Sequence, residues 1–186
     1  MPKSPELSKN AKSKKKSALR EIIETVIWAL LIAMVVRYFL VEGFYIPSSS
    51  MVPTLVPGER VLVAKFCYRF TQPQRGDVIV FRYPMDKKKN LIKRVVGLPG
   101  EIIRIENGMI YVNGVQIKGD KFGRTYYDVG FYGEGEHVVP DDSYFVLGDN
   151  SRNSDDSRFW GYVPRKNILG RAFLIYWPPL SIQVLR

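Results

Sequence analysis

The sequence is poor in the residues that most hydrolases and metal sites depend on. It has 186 residues but only one cysteine, Cys67, and one histidine, His137. One cysteine excludes an intrachain disulfide, and one cysteine with one histidine are too few ligands for a zinc site. A Ser-His-Asp triad or a Cys-His pair would have to use His137, whose glycine-rich surroundings are typical of an exposed loop. We interpret Cys67 as part of a strand-like run, which disfavours a Cys-His pair. We also find no phosphate-binding glycine loop and no internal repeat, so the sequence predicts no metal and no cofactor.

Basic charge is concentrated at the N-terminus. The formal charge of the chain is +10, and residues 1–21 hold seven Lys or Arg residues against two Glu. A short basic arm of this kind binds either nucleic acid or anionic lipid. The arm has no aromatic residue for base stacking and is followed directly by an apolar run. We therefore predict a basic cytoplasmic tail over residues 1–21 and no nucleic-acid partner.

The apolar run covers residues 22–41 and contains only two charged residues, Glu24 and Arg37. About 20 helical residues span the hydrocarbon core of a bilayer. We predict a single-pass transmembrane anchor in the cell membrane. Because Lys and Arg stay on the cytoplasmic side, the N-terminus should be cytoplasmic and residues 42–186 extracytoplasmic. A buried core helix and a cleavable signal peptide are the alternatives, although no small-x-small cleavage site follows the run.

Residues 42–186 are strand-like nearly throughout. The runs that are rich in β-branched and aromatic residues are RVLVAKF (60–66), DVIVFRY (77–83), LIKRVVG (91–97), EIIRI (101–105), MIYV (109–112), YFVLGD (144–149), RAFLIYW (171–177) and SIQVLR (181–186). Asn107-Gly108 and Asn113-Gly114 supply the positive φ angles of tight hairpin turns. No amphipathic helix is evident after residue 42. The sequence predicts a mostly β catalytic domain of twisted antiparallel sheets or a partly closed barrel-like form, with a loop-rich insertion at 115–140.

A run of three serines, residues 48–50, lies between Pro47 and Pro53. Serine runs are usually flexible linkers, but prolines on both sides restrict the backbone, as the alignment of a nucleophile requires. A serine nucleophile without a histidine needs another general base.

Lysine can be that base when burial lowers its pKa. Lys93 lies among apolar residues in LIKRVVG, and in a strand its side chain would share a face with Leu91 and Val95. It is the best candidate for a buried amine. The alternative is a lysine on an edge strand with its ammonium group in water.

Four segments of the sequence, taken together, resemble type I signal peptidases, the membrane-bound serine proteases that trim exported preproteins. They are PSSSMVPTL (47–55), RGDVIVF (75–81), LIKRVVGLPGE (91–101) and GDNSRNSDDSRFWG (148–161). They occur in the family's order and follow an N-terminal apolar run. The short stretch between the last two segments resembles the compact form that is common in Gram-positive bacteria.

The resemblance implies roles for individual residues. Ser50 takes the place of the nucleophile and Lys93 that of the general base. Ser48 takes the place of the hydroxyl that completes an oxyanion hole with the backbone N–H of Ser50. Ser49 falls at a variable position, so the resemblance implies that it is not catalytic.

The resemblance also implies a supporting group of residues. Ser154 matches a serine that hydrogen-bonds the base lysine, and Asp156 and Arg158 match a pair that shapes the site, with Asp149 nearby. Ser151-Arg152 stands where many members of the family carry Arg-Asp, which predicts different local ion pairs in this chain.

The implied partners are the signal peptides of preproteins, cut after Ala-x-Ala, and the lipid bilayer; we expect a monomer. A membrane-tethered β domain that binds a partner and cuts nothing is the main alternative. A self-cleaving Ser-Lys regulator is a second alternative, which the predicted anchor disfavours.

Overall fold

The structure, a computed structural model, describes residues 20–34 and 40–185. The chain divides into two units, Met1–Leu40 and Val41–Arg186. Residues 20–34 form helix α1. Nearly all of the predicted tail, and the part of the predicted anchor at 35–39, lie outside the described residues. In the ranges that are described, no helix is both long enough and apolar enough to cross a membrane.

Within residues 40–185, twelve strands form two antiparallel sheets. The strands are β1 (Val41–Tyr45), β2 (Arg60–Ala64), β3 (Val78–Arg82), β4 (Asn90–Gly97), β5 (Ile102–Glu106), β6 (Met109–Val112), β7 (Val115–Gln116), β8 (Glu136–Val138), β9 (Ser143–Leu147), β10 (Val163–Pro164), β11 (Ile168–Trp177) and β12 (Gln183–Val184). The large sheet has the order β1-β2-β11-β3-β4-β9-β10, with β12 beside β11, and the small sheet has the order β7-β6-β5-β8. The prediction of a mostly β fold with antiparallel sheets is confirmed. Within residues 40–185 the edge strands β1 and β10 do not pair, so the large sheet does not close on itself.

The two predicted Asn-Gly turns are confirmed. Asn107 and Gly108 have φ angles of 51° and 79°, and Asn113 and Gly114 have φ angles of 50° and 77°. They connect β5 to β6 and β6 to β7, both pairs antiparallel. Left-handed backbone at two successive positions matches the twist of the flanking strands, which is why Asn-Gly is favoured there.

Each strand-like run of the sequence overlaps a strand, but most of the bounds differ and some elements were missed. β1, β7, β8 and β10 were not predicted, because each is short or lacks an alternating pattern. The interpretation of Cys67 as part of a strand is wrong, since it begins the single-turn helix α2 (Cys67–Phe70). A second single-turn helix, α3 (Ser157–Trp160), follows β9. Apart from β7 and β8, the 115–140 excursion is irregular, as predicted.

The core anchors the loop between β1 and β2. Met51 and Leu55, which lie in this loop, are fully buried in a cluster with Val61 and Val63 of β2. The loop is also tied across its base, because the Ile46 N–H donates to the carbonyl oxygen of Glu59 at 2.9 Å. The serine run therefore belongs to a packed loop, and its interpretation as a flexible linker is wrong.

We expect Gly170→Ala to destabilise the large sheet. A Cβ at Gly170 would overlap the carbonyl oxygen of Ala64 and lie 2.8 Å from Cγ1 of Val63, both on the paired strand β2. Overpacking of this kind typically costs about 1–3 kcal/mol, which should lower the Tm by roughly 5 °C. The matched control is Gly123→Ala, where the nearest atom to the added Cβ is 3.5 Å away. Equal Tm values for the two variants in thermal unfolding would contradict the close approach of β11 to β2.

Candidate active site

The structure brings Ser50 and Lys93 into direct contact. The Lys93 Nζ donates to the Ser50 Oγ at 2.8 Å and to the carbonyl oxygen of Ile92 at 3.1 Å. Ser50 is 5% exposed and Lys93 is 3% exposed. β4, which carries Lys93, lies between β3 and β9 in the interior of the large sheet. The alternative of an edge-strand lysine with its ammonium group in water is therefore wrong.

Burial lowers the pKa of Lys93 from 10.5 to about 8. The charged ammonium form loses its hydration in this environment, and the neutral amine does not. Nearby carboxylates, led by Asp156, oppose this effect, and the positive charge of Arg158 adds to it. Desolvation is the largest of these causes, so the amine can be deprotonated far more readily than that of a free lysine.

Hydrogen bonds from the loop after β9 hold the serine run. The Asn150 N–H donates to the carbonyl oxygen of Ser50 at 2.9 Å, and the Asn150 Nδ2 donates to that of Ser49 at 3.1 Å. The Asn153 Nδ2 donates to the Ser49 Oγ at 2.6 Å. Both asparagines follow β9, which lies between β4 and β10 in the sheet. The loop after β1, the strand β4 and the loop after β9 thus meet at one place.

Ser48 lies beside the Ser50 hydroxyl on the exposed side of the site. The two Oγ atoms are 3.3 Å apart, a distance at which either can donate to the other. Among the described residues, the backbone N–H of Ser50 donates to no protein atom. A hydroxyl and an unused N–H therefore lie next to the Ser50 Oγ, which are the donor types of an oxyanion hole.

Ser154 lies close to this group but does not make the predicted contact. Its Oγ is buried and has no hydrogen-bond partner among the described residues, so the predicted hydrogen bond to Lys93 is not formed. Lys93 instead donates its second hydrogen bond to its own neighbour, Ile92. A Cβ on Gly148 would overlap the Ser154 Oγ and lie 2.6 Å from the carbonyl oxygen of Ser50. Only glycine lets these two serine segments approach each other at this point.

Asp156 and Arg158 form a fully buried ion pair. The Arg158 Nε donates to Oδ1 of Asp156 at 2.8 Å, and its Nη2 donates to Oδ2 at 2.9 Å. The same Oδ2 accepts from the N–H of Gly148 at 3.0 Å. Both side chains are 0% exposed. Removal of one partner of such a buried pair strongly destabilises the folded protein, because the other charge remains buried without compensation.

Asp149 belongs to a different ion pair, which the sequence analysis missed. Arg94, the residue after Lys93, donates from Nε to Oδ1 of Asp149 at 2.8 Å and from Nη2 to Oδ2 at 2.6 Å. The Thr54 hydroxyl also donates to Asp149, and Arg124 lies 3.8 Å from it. Neighbouring side chains on a strand face opposite sides, so a charged residue inside the apolar run of β4 could have indicated a second buried partner.

The single histidine and the single cysteine are engaged elsewhere. His137 is half-buried in β8, not in a loop as predicted, and it packs against Tyr132 with ring centroids 5.4 Å apart. The Cys67 Sγ donates to the carbonyl oxygen of Ala64 at 3.0 Å. Neither touches Ser50 or Lys93. Over the described part of the chain, no group of three or more His, Cys, Asp or Glu residues could hold a metal ion.

Comparisons with known proteins point to one family. The sequence model of the family described as "Signal peptidase, peptidase S26" matches residues 19–177. "Probable signal peptidase I-2" of Synechocystis is 42% identical over 186 residues, which cover 97% of this chain and 83% of that protein. "Signal peptidase I" of Leptolyngbya laminosa is 44% identical, with 87% of this chain and 81% of that protein covered. "Signal peptidase I P" of Bacillus subtilis subsp. natto is 37% identical, with 89% and 92% covered.

The family match spans most of the chain, and the similarity covers four fifths or more of the length of each of these relatives. This chain therefore belongs to the signal peptidase family, peptidase S26, and within it to the type I signal peptidases.

Proposed function

We propose that this chain is a membrane-bound serine endopeptidase that removes signal peptides from exported preproteins, with Ser50 as nucleophile and Lys93 as general base. Family membership supports the removal of signal peptides. The observation that carries the mechanism is the 2.8 Å contact between the Ser50 Oγ and the buried Nζ of Lys93. Among the described residues, no histidine or metal-ligand cluster adjoins this serine to act in place of the lysine.

In the acylation step, the neutral Lys93 amine accepts the proton of the Ser50 hydroxyl while the Oγ attacks the scissile carbonyl carbon. The resulting oxyanion accepts hydrogen bonds from the Ser48 hydroxyl and the Ser50 backbone N–H. Loss of one such donor typically costs about 10²–10³ in rate. The Lys93 ammonium then gives its proton to the leaving amine as the peptide bond breaks. The signal peptide remains as an ester on Ser50.

In the deacylation step, Lys93 accepts a proton from a water molecule that attacks the ester carbonyl. A second tetrahedral intermediate forms on the same donors, and its collapse breaks the bond to the Ser50 Oγ. Lys93 returns its proton to that oxygen. The signal peptide leaves with a free carboxylate, and both side chains are restored.

The lowered pKa makes lysine an effective base near neutral pH. With a pKa of about 8, about a tenth of the Lys93 amines are neutral at pH 7. For an unperturbed lysine with a pKa of about 10.4, the neutral fraction is roughly two hundred times smaller. Burial of the amine therefore supplies the neutral fraction that a solvated lysine would lack at this pH.

The substrate is an extended peptide with small side chains, Ala-x-Ala, before the cleaved bond, as the family resemblance implies. Extended peptides bind by adding a strand to an exposed sheet edge. The anchor predicted at residues 22–41, with the N-terminus in the cytoplasm, places the enzyme in the same bilayer as the apolar segment of the signal peptide. Shared tethering raises the effective concentration of the substrate for a monomeric enzyme.

Ser50→Ala and Lys93→Ala should each abolish cleavage. Removal of a nucleophile or its base typically lowers kcat by about 10³-fold or more, because neither step can proceed without the proton transfer. The assay is cleavage of an Ala-x-Ala preprotein by the detergent-solubilised full chain. Ser49→Ala and Lys88→Ala are matched controls, a neighbouring serine and an exposed lysine, and both should keep most of the activity. Retained cleavage in the Ser50 and Lys93 variants would instead favour the non-catalytic binding module.

The pH dependence of kcat/KM should follow the titration of Lys93. Activity requires the neutral amine, so kcat/KM should rise with pH through an apparent pKa of about 8. The exposed carboxylate of Asp155 raises the pKa of Lys93. Asp155→Asn should therefore shift the rise to lower pH, and added salt should weaken this difference. A rise only near pH 10, the range of a solvated lysine, would rule out a buried base.

The predicted anchor should stay on the mature protein. The chain should remain in the membrane pellet after alkaline extraction, because about 20 apolar residues hold it in the bilayer. N-terminal sequencing of this material should find a start near residue 1. A start at or beyond residue 40 would show that the apolar run is a cleaved signal peptide.

A further inference from the structure

Tyr127 joins the 115–140 excursion to the loop after β9 and to α3. The Tyr127 N–H donates to the Ser151 Oγ at 2.9 Å, and its carbonyl oxygen accepts from Nη1 of Arg158 at 3.0 Å. Its phenolic oxygen accepts from Nε of Arg152 at 2.6 Å, and the Arg152 guanidinium lies over the ring, 5.2 Å from the centroid. Main-chain and side-chain atoms of Tyr127 are thus both fixed by the segment that carries the supporting residues.

Ser151 connects Tyr127 to the buried ion pair of Asp156 and Arg158. Its hydroxyl oxygen accepts from Tyr127 and also from Nη1 of Arg158, the latter at 2.7 Å. Its carbonyl oxygen accepts from Nη2 of Arg158 at 2.8 Å. Ser151 is 7% exposed and stands where the resembling family often has arginine. A serine at this position gives Arg158 a neutral acceptor in place of a second positive charge.

All five N–H groups of Arg158 have acceptors in this arrangement. Nε and one hydrogen of Nη2 bind Asp156, and the other three bind oxygen atoms of Ser151 and Tyr127. A buried donor that loses its acceptor is costly, so the guanidinium is held in one orientation. Asp156 in turn accepts from the N–H of Gly148, which lies against the backbone of Ser50.

We propose that Ser151 is a positioning residue: its hydroxyl couples the 115–140 excursion to Arg158 and so fixes the charge pair beside Lys93. The inference rests on the proposed Ser-Lys mechanism. Ser151 touches neither the substrate nor the reacting atoms, and it acts through Arg158. The excursion is then a part of the catalytic apparatus and not only a surface loop.

The charges around Lys93 determine the direction of the effect. The charged groups that act on its amine are Asp149, Asp155, Asp156 and Arg158. Asp156 raises the pKa of Lys93 and Arg158 lowers it. If Arg158 moves away from Asp156, its positive charge lowers the pKa of Lys93 less. The negative charge of Asp156 is then also less compensated and raises that pKa more. Both changes raise the pKa of Lys93 and leave less of the neutral base.

The experiment compares Ser151→Ala with the full-length, detergent-solubilised wild type in preprotein cleavage over a range of pH. We expect kcat to fall about tenfold with KM within about twofold, and the apparent pKa of kcat/KM to move upward. Ser151→Thr keeps the hydroxyl and should restore both values. Ser143→Ala is the matched control, because Ser143 is similarly buried (9% exposed) in β9 and its hydroxyl makes no hydrogen bond within the described residues.

A folded Ser151→Ala variant with wild-type kcat and an unchanged pH profile would overturn the proposal, even if its Tm were lower. The same result in Ser151→Thr as in Ser151→Ala would also overturn it. Loss of activity in Ser50→Ala and Lys93→Ala, measured beside these variants, shows whether the underlying mechanism holds. If those two variants remain active, the proposed function fails and not this inference alone.

A measurement on the wild type decides the question if Ser151→Ala does not fold. Coupling between two sites is reciprocal, so a ligand on Ser50 should strengthen the hydrogen bonds that connect Tyr127, Ser151 and Arg158. The probe is a peptide aldehyde with an Ala-x-Ala sequence, which adds reversibly to a serine hydroxyl. Hydrogen exchange of the amides of Tyr127 and Tyr132, whose N–H groups donate to Ser151 and Arg158, should become slower with the probe bound. Unchanged exchange at both amides would overturn the proposal.

Discussion

The desolvation of one amine is the constraint on which the site depends. Lys93 is held in the interior of the large sheet, where its ammonium form loses hydration and its pKa falls to about 8. The same burial places its Nζ 2.8 Å from the Ser50 Oγ. A solvated amine at this position would keep a pKa of about 10.4 and be almost wholly protonated near neutral pH, which would disable the proposed mechanism. The sheet therefore provides both the position and the basicity of the group.

Two buried ion pairs support this amine without binding it. Arg94 with Asp149 and Arg158 with Asp156 connect β4, the loop after β9 and the segment that begins α3. Buried pairs contribute little net stability, because desolvation offsets their attraction, but they strongly disfavour other arrangements of the chain. At Lys93 the negative charges of Asp149 and Asp156 raise the pKa, the positive charge of Arg158 lowers it, and desolvation outweighs them. The proposed mechanism, which needs the neutral amine, can thus operate beside four charged side chains.

Much of the architecture could be predicted because it is local. The strand runs follow from β-branched and aromatic patterns, and the two Asn-Gly turns follow from the backbone angles that they favour. The strand β1 was missed because VEGFY shows no alternation of apolar and polar residues. Cys67 was misplaced because nothing in its neighbourhood signals a single helical turn. The hydrogen bond expected between Ser154 and Lys93 is absent, since the amine donates to Ile92 instead.

The sequence by itself determined the strands, the tight turns and the short set of residues that could do chemistry, because these depend on neighbours along the chain. It also limited the bases to lysine, since one histidine in a glycine-rich stretch left few alternatives. Only the tertiary structure decided that the Lys93 side chain is buried, that Arg94 pairs with Asp149, and that the 115–140 excursion is hydrogen-bonded to Arg158. Burial and pairing of charges depend on residues far apart in the sequence, and the pattern within one strand cannot show which of them will meet.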